Sequence, residues 1–249
     1  IIGVEMSAFY KDIRDLLALQ SIRYESERYG PSNYSIYMNK DYGNVKGYTF
    51  SLTKRYDPRT KTSAFVDYTY QITEGNSVNS GSFYYNALSG EEEEKRIVPL
   101  SWDQRHIFNT NVSIGDPGNW NIGIISKLSS GWPYTPNIPN ANYVPQPNSG
   151  RKPLQWRVDM RIHKNFILGK YNYILYAKIY NLLDRRNERY VFNDTGRAGY
   201  TYVFQSTQET QGFKKHYGEP GVHQWSEYQV RPHYYTPPRS INIGLSLDF

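Results

Sequence analysis

Ser240-Ile241-Asn242-Ile243-Gly244-Leu245-Ser246-Leu247-Asp248-Phe249 closes the sequence. Ile241, Ile243, Leu245, Leu247 and Phe249 fall on one side of an extended chain, and Ser240, Asn242, Gly244, Ser246 and Asp248 on the other. Side chains of a strand point alternately to opposite faces, so this period of two marks a strand with one apolar and one polar face. Working back through the chain, the same period recurs. Tyr173, Leu175, Ala177 and Ile179 alternate with Ile174, Tyr176, Lys178 and Tyr180 within residues 172–183, and Trp156, Val158, Met160 and Ile162 alternate with Arg157, Asp159, Arg161 and His163. Trp120, Ile122, Ile124 and Leu128 share one side of 120–129, and Phe108, Val112 and Ile114 oppose Asn109, Asn111 and Ser113 within 105–114. Ala64, Val66, Tyr68, Tyr70 and Ile72 line 63–73, Tyr48, Phe50 and Leu52 line 44–56, and Val4, Met6, Ala8 and Tyr10 line 2–12. About eight strands are expected.

The connections alternate in length. Residues 57–61, 115–119 and 168–171 are short and hold the Pro, Gly, Asn and Asp that turns require. Residues 13–43, 74–104, 131–155 and 184–239 are long and polar, and read as loops. Soluble domains rarely carry several structureless loops of that length. With 249 residues and a mean hydropathy of −0.73, no stretch approaches the ~18 apolar residues of a membrane helix. Yet 25 Tyr, 10 Phe and 5 Trp are too many aromatics for a disordered chain. The absence of Cys excludes a disulfide framework and any Cys-ligated zinc or iron–sulfur site.

One architecture reconciles these features. A lipid bilayer demands that every backbone polar group be paired, which only helices and closed barrels achieve. The expected fold is therefore all-β: an antiparallel transmembrane β-barrel with short periplasmic turns and long extracellular loops. Trp120, Trp156, Tyr68, Tyr70 and Tyr173 sit at strand ends or on apolar faces, where interfacial aromatic girdles lie. A soluble sandwich also alternates, so the loop asymmetry carries more weight than the alternation. Ile1-Ile2-Gly3-Val4 has neither a basic region nor an apolar one, so it is not a signal peptide. It reads as a strand already under way, and the chain is expected to be a piece of a larger protein. A small eight-stranded barrel is the structural alternative.

Asn242, Gly244, Leu245, Leu247 and Phe249 fit the C-terminal assembly signal of outer-membrane barrels: polar, Gly, apolar and terminal aromatic in register. An exposed amphipathic last strand gives the barrel assembly machinery an edge to pair with. Further stretches extend the likeness: Tyr10-Lys11-Asp12-Ile13-Arg14-Asp15-Leu16, Val45-Lys46-Gly47-Tyr48 and Trp102-Asp103-Gln104-Arg105-His106. So do Ser130-Gly131-Trp132-Pro133-Tyr134-Thr135-Pro136, Tyr180-Asn181-Leu182-Leu183-Asp184-Arg185-Arg186-Asn187 and Pro238-Arg239-Ser240. In this order and placement the chain resembles the C-terminal portion of a TonB-dependent outer-membrane receptor. The resemblance implies a barrel of about 22 strands, of which residues 1–249 supply the last eight or so as part of one domain. The plug, the energy-coupling box and the earlier strands would lie outside this chain. It further implies active uptake of a scarce nutrient, such as a siderophore, saccharide or peptide, across the outer membrane of a Gram-negative (diderm) bacterium. The implied partners are outer-membrane lipid and lipopolysaccharide, the barrel assembly machinery, the TonB complex through the missing N-terminal part, and a surface lipoprotein. The alternative is a structural or adhesive barrel that binds through its long loops.

No nucleophile elbow, P-loop or dinucleotide fingerprint occurs, so neither an enzyme nor a cofactor is expected. The net charge of +6 comes from dispersed Lys and Arg rather than a basic element, so no nucleic acid is expected. Glu91-Glu92-Glu93-Glu94 reads as a solvated run rather than a calcium site, and the five His form no metal-binding spacing. Arg157, Asp159, Arg161 and His163 are the expected lumen-facing charges, read as pairing with one another, with neighbouring strands or with a plug. Trp132, Tyr134, Tyr143, Trp225 and Tyr228 are the candidate substrate-binding aromatics; they serve either to stack on a ligand or to pack the loops.

Overall fold

The computed structural model describes residues 1–28, 30–76, 96–137, 145–202 and 230–248. Its long strands are β1 (Ile2–Ser26), β2 (Gly30–Asp57), β3 (Thr62–Gly75), β5 (His106–Asp116), β6 (Trp120–Ser129), β9 (Gln155–Leu168), β10 (Tyr171–Tyr180) and β11 (Ser240–Asp248). Short strands β4 (Val98–Pro99), β7 (Pro133–Tyr134) and β8 (Gly150–Arg151) lie in the connections. The long strands form one antiparallel meander in the order β1-β2-β3-β5-β6-β9-β10-β11, with β4 added to β3; β7 and β8 pair separately. Among the described residues β1 and β11 do not pair with each other, so the sheet is an open arc rather than a closed barrel.

Register sorts the faces, because directly opposed residues share one. Met6, Phe50, Tyr68, Phe108, Leu128 and Trp156 are successive cross-strand partners. Two steps lower run Ala64, Val112, Ile124, Met160, Ile179 and Ile241, and one step below those Ile114, Ile122, Ile162, Ala177 and Ile243. With Val66 and Val158 between the first two, these rows form an apolar band interrupted at Thr110 and Ser126. The other face carries Glu5, Ser51, Asp67, Asn109, Lys127 and Arg157 in one row. The band is bare: Met6 is 73% exposed, Ile243 75% and Leu245 60%. Apolar patches on soluble monomers rarely exceed a few hundred Å², so a naked band across eight strands requires an apolar environment.

Aromatics bracket the band. Tyr48, Tyr68, Tyr70 and His106 cluster at the rim with long connections, where Tyr48 and Tyr70 lie 5.4 Å apart by ring centroid and the Tyr68 hydroxyl is 2.9 Å from His106 Nδ1. Trp156 Nε1 donates to Ser126 Oγ at 3.0 Å near the same rim. At the opposite rim Phe166 and Tyr173 stack at 5.5 Å. Tyr68 and Trp156 thus turn their polar atoms to a partner while the ring bodies stay apolar.

One expected loop and one expected strand end are corrected. Residues 13–43 are not a loop: β1 and β2 continue as one hairpin paired from Leu16↔Asp41 to Ser26↔Gly30. At the usual strand rise this projection reaches roughly 40 Å past Ile13. The alternation breaks at Arg14-Asp15, where Asp15 takes φ 61° and the register shifts. That bulge hides the strand from a period count without ending it. The seventh expected strand stops at Tyr180 rather than 183, because Asn181 adopts φ 53° and Asp184 φ 51°.

Candidate functional site

The long-connection rim is held by buried polar side chains that clasp backbone. Asp103 is fully buried. Its Oδ1 accepts the Thr73 N–H at 2.9 Å, and its Oδ2 pairs with Arg151 and, at 3.4 Å, with Arg105. Arg151 also donates to the Asp103 carbonyl at 2.6 Å. Gln104 donates to Ser129 Oγ and to the Ser130 carbonyl, both at 3.0 Å. The end of β3 and two connections are thus tied at one carboxylate, which gives this buried group the partners it requires. The sequence flagged Trp102-Asp103-Gln104-Arg105-His106 without assigning this role. Arg151, forty-eight positions away, had no local signal at all.

A second knot follows β10. Asn181 donates from Nδ2 to the Arg185 and Pro237 carbonyls at 3.1 Å each, and its Oδ1 accepts the Arg185 N–H. Asn187 bonds both backbone groups of Trp156. Glu188 accepts two nitrogens of Arg197, at 3.0 and 2.8 Å, and the Ala198 N–H at 2.5 Å. The hydrogen bond that Arg197 donates to Glu188 is the main reason its guanidinium is held above its ordinary pKa. A bridge between Glu188 and Tyr235 folds 230–239 back onto this segment. The described parts of 184–239 are therefore an ordered cap, not a free loop.

Among the candidate aromatics, Tyr134 is a packing residue in this arrangement. Its ring lies over Gly150 and Gly196: a Cβ at Gly150 would stand 2.6 Å from the ring, and one at Gly196 2.2 Å from its hydroxyl. Burial, and to a lesser degree Asp194, pushes its pKa up. Trp132 is exposed beside it. Tyr143, Trp225, Tyr228 and Phe249 lie outside the described residues, as does the run Glu91–Glu94. Asn242, Gly244, Leu245 and Leu247 lie on β11, whose outer edge is unpaired among the described residues; the ring of Tyr176 covers Gly244, where a Cβ would meet it at 2.4 Å.

Arg157, Asp159, Arg161 and His163 share the polar face of β9. Arg157 Nε donates to Asp159 Oδ1 at 2.8 Å, and the same oxygen accepts the Asn181 N–H at 2.8 Å. Arg161 does not share that pair. It flanks a hollow of about 330 Å³ with Asn111, Gly123, Lys178 and Tyr180, left open because Gly123 has no side chain to fill it. Arg161 and Lys178 outnumber the one carboxylate at that hollow, Asp159, which itself pairs with Arg157, so the balance favours an anion. Among the described residues no three His, Asp or Glu side chains gather as a metal site.

A single-layer antiparallel arc with one naked apolar face, aromatic rims, short turns at one end and ordered long connections at the other has an outer-membrane β-barrel-like fold. No family model matches the chain. No curated protein matches it either. Among solved structures it is similar to the outer membrane transporter YddB from Escherichia coli, with a TM-score of 0.56 and 13% identity over 75% of this chain. The match covers 27% of that transporter, so the chain spans about a quarter of its length. At this identity the likeness is one of fold.

Proposed function

We propose that this chain is part of the wall and extracellular cap of an outer-membrane transporter in a Gram-negative bacterium, energised through the TonB complex. The observation that carries the reading is the exposed apolar band with its aromatic borders. The fold likeness to an outer membrane transporter supports it. In this reading the apolar band meets lipid, the polar face lines the lumen or holds a plug, and the tied rim presents loops to a scarce nutrient. No covalent chemistry is involved. The hairpin projecting beyond Ile13 favours a second reading, an adhesive barrel that engages surfaces through its loops.

Two measurements test this. Heat-modifiable gel migration and a requirement for detergent are expected of a membrane barrel; a monodisperse protein in plain buffer overturns both readings. Deleting the gene should slow growth on a limiting siderophore, saccharide or peptide, and disabling TonB should have the same effect. Loss of surface attachment with unchanged growth on every such nutrient would favour the adhesive reading.

A further inference from the structure

Two adjoining hollows at the long-connection rim share His106, Ser130 and Leu154. The lower, about 390 Å³, opens on the apolar band between Tyr68, Phe108 and Leu128. The upper, about 430 Å³, is bordered by Arg105, Arg151 and Lys152. An apolar slot thus continues into a cationic seat. Behind that seat the buried carboxylate of Asp103 pairs with Arg151 and Arg105. Lys152 Nζ contacts the Arg189 carbonyl at 3.1 Å and the Tyr190 ring at 5.8 Å. Among the described residues no carboxylate pairs with it. Burial alone draws its pKa below the ordinary lysine value. A partly desolvated ammonium without a counter-ion gains from an arriving anion.

We propose that this rim binds one lipopolysaccharide molecule, with a phosphate on Lys152 and Arg105 and an acyl chain along Tyr68, Phe108 and Leu128. The proposal rests on the membrane reading above. Charge and position select this occupant. The cationic seat lies at the end with the long connections, which that reading assigns to the outer leaflet. The slot directly below it supplies the apolar half of an amphiphile site, and neither half alone would specify a phosphorylated lipid. Gly131 keeps the seat open beside the Lys152 carbonyl, where a Cβ would stand 1.8 Å from the oxygen.

Native mass spectrometry of the protein extracted from outer membranes in mild detergent reads the site. The probes are bis-phosphorylated lipid A, its dephosphorylated form and phosphatidylglycerol. Lipid A should be retained, and Arg105→Gln and Lys152→Glu should each weaken retention by about tenfold, the worth of one charged contact. Lys170→Glu, at the opposite rim, should leave it unchanged. Removing the phosphates should match the effect of the variants. Each variant is first matched to wild type in heat-modifiable migration, and Lys152→Gln replaces Lys152→Glu where it is not. A protein that migrates as a barrel yet binds lipid A equally in all variants, or binds phosphatidylglycerol as tightly, overturns the site alone. A protein that needs no detergent overturns the membrane reading as well.

Discussion

Asn187 clasps the backbone of Trp156: its Oδ1 accepts the Trp156 N–H at 2.9 Å and its Nδ2 donates to the Trp156 carbonyl at 2.9 Å. A side chain here plays the part of a neighbouring strand. It completes the ladder at the point where β9 outruns β10, whose last residue is Tyr180. Asn187 is itself buried, so neither partner is replaced by water when it is removed.

Asn187→Ala should therefore destabilise the protein by about 2 kcal/mol, since two backbone groups lose their partner. Asn187→Asp keeps the acceptor and loses the donor, and should lose about half as much. Urea unfolding in lipid vesicles, followed by Trp fluorescence, measures both. Equal midpoints for wild type and Asn187→Ala would show that the clasp contributes nothing.

Asp103→Ala should cost about 3 kcal/mol, because it strips Thr73 of a buried acceptor and leaves Arg151 facing an empty site. The loss should be local first. Limited proteolysis should cut residues 96–105 faster in the variant while the strands stay protected. Cleavage rates equal to wild type would contradict the structural role given to this carboxylate.

Charge on the two faces should have opposite consequences. Ile124→Arg, in the middle of the apolar band, should cost about 2–4 kcal/mol in a bilayer. Asn109→Arg, on the polar face of the neighbouring strand between Asp67 and Lys127, should be tolerated within about 0.5 kcal/mol. Yield of heat-modifiable protein in outer membranes compares them directly. A reversed order would place lipid on the wrong face.

Gly131→Val should destabilise the rim by about 2–3 kcal/mol, because the obstructing Lys152 carbonyl is backbone and cannot swing aside. At Gly244 the obstacle is only the Tyr176 ring, which can rotate away. Gly244→Ala should thus be the milder change, and the two thermal midpoints should differ in that order.

Asp57 gives a pH signature. The Arg59 N–H, at 2.9 Å, is the largest reason its carboxyl stays below the ordinary aspartate range; Thr60 adds a weaker bond at 3.3 Å. A depressed folded pKa means stability present at neutral pH and lost as pH falls through the ordinary aspartate range to the lower folded value. The residue is only half-buried at a turn, so the effect is small. Subtracting the acid titration of Asp57→Ala from that of wild type should leave a curve that falls only in this acid window; a flat difference would refute the turn's dependence on charge.

Much of this molecule was legible before folding. Side chains alternate across a strand, so residues 44–56, 63–73, 120–129 and 240–248 declare their faces one strand at a time, and the observed register joins those faces into one band. Turns 57–61 and 115–119 declared themselves through Pro, Gly and Asp, whose backbone preferences are local. The β1–β2 projection stayed hidden because the irregularity around Asp15 resets the alternation on which a period count relies. The rim was hidden for a different reason. That Asp103 meets Arg151, that Asn187 completes Trp156 and that Lys152 borders an apolar slot are all contacts between segments remote in sequence. Sequence by itself determined which faces are apolar, because that is set residue by residue. Only the tertiary structure decided which charges are tied and which remain open to a ligand, because that depends on where distant backbones come to rest.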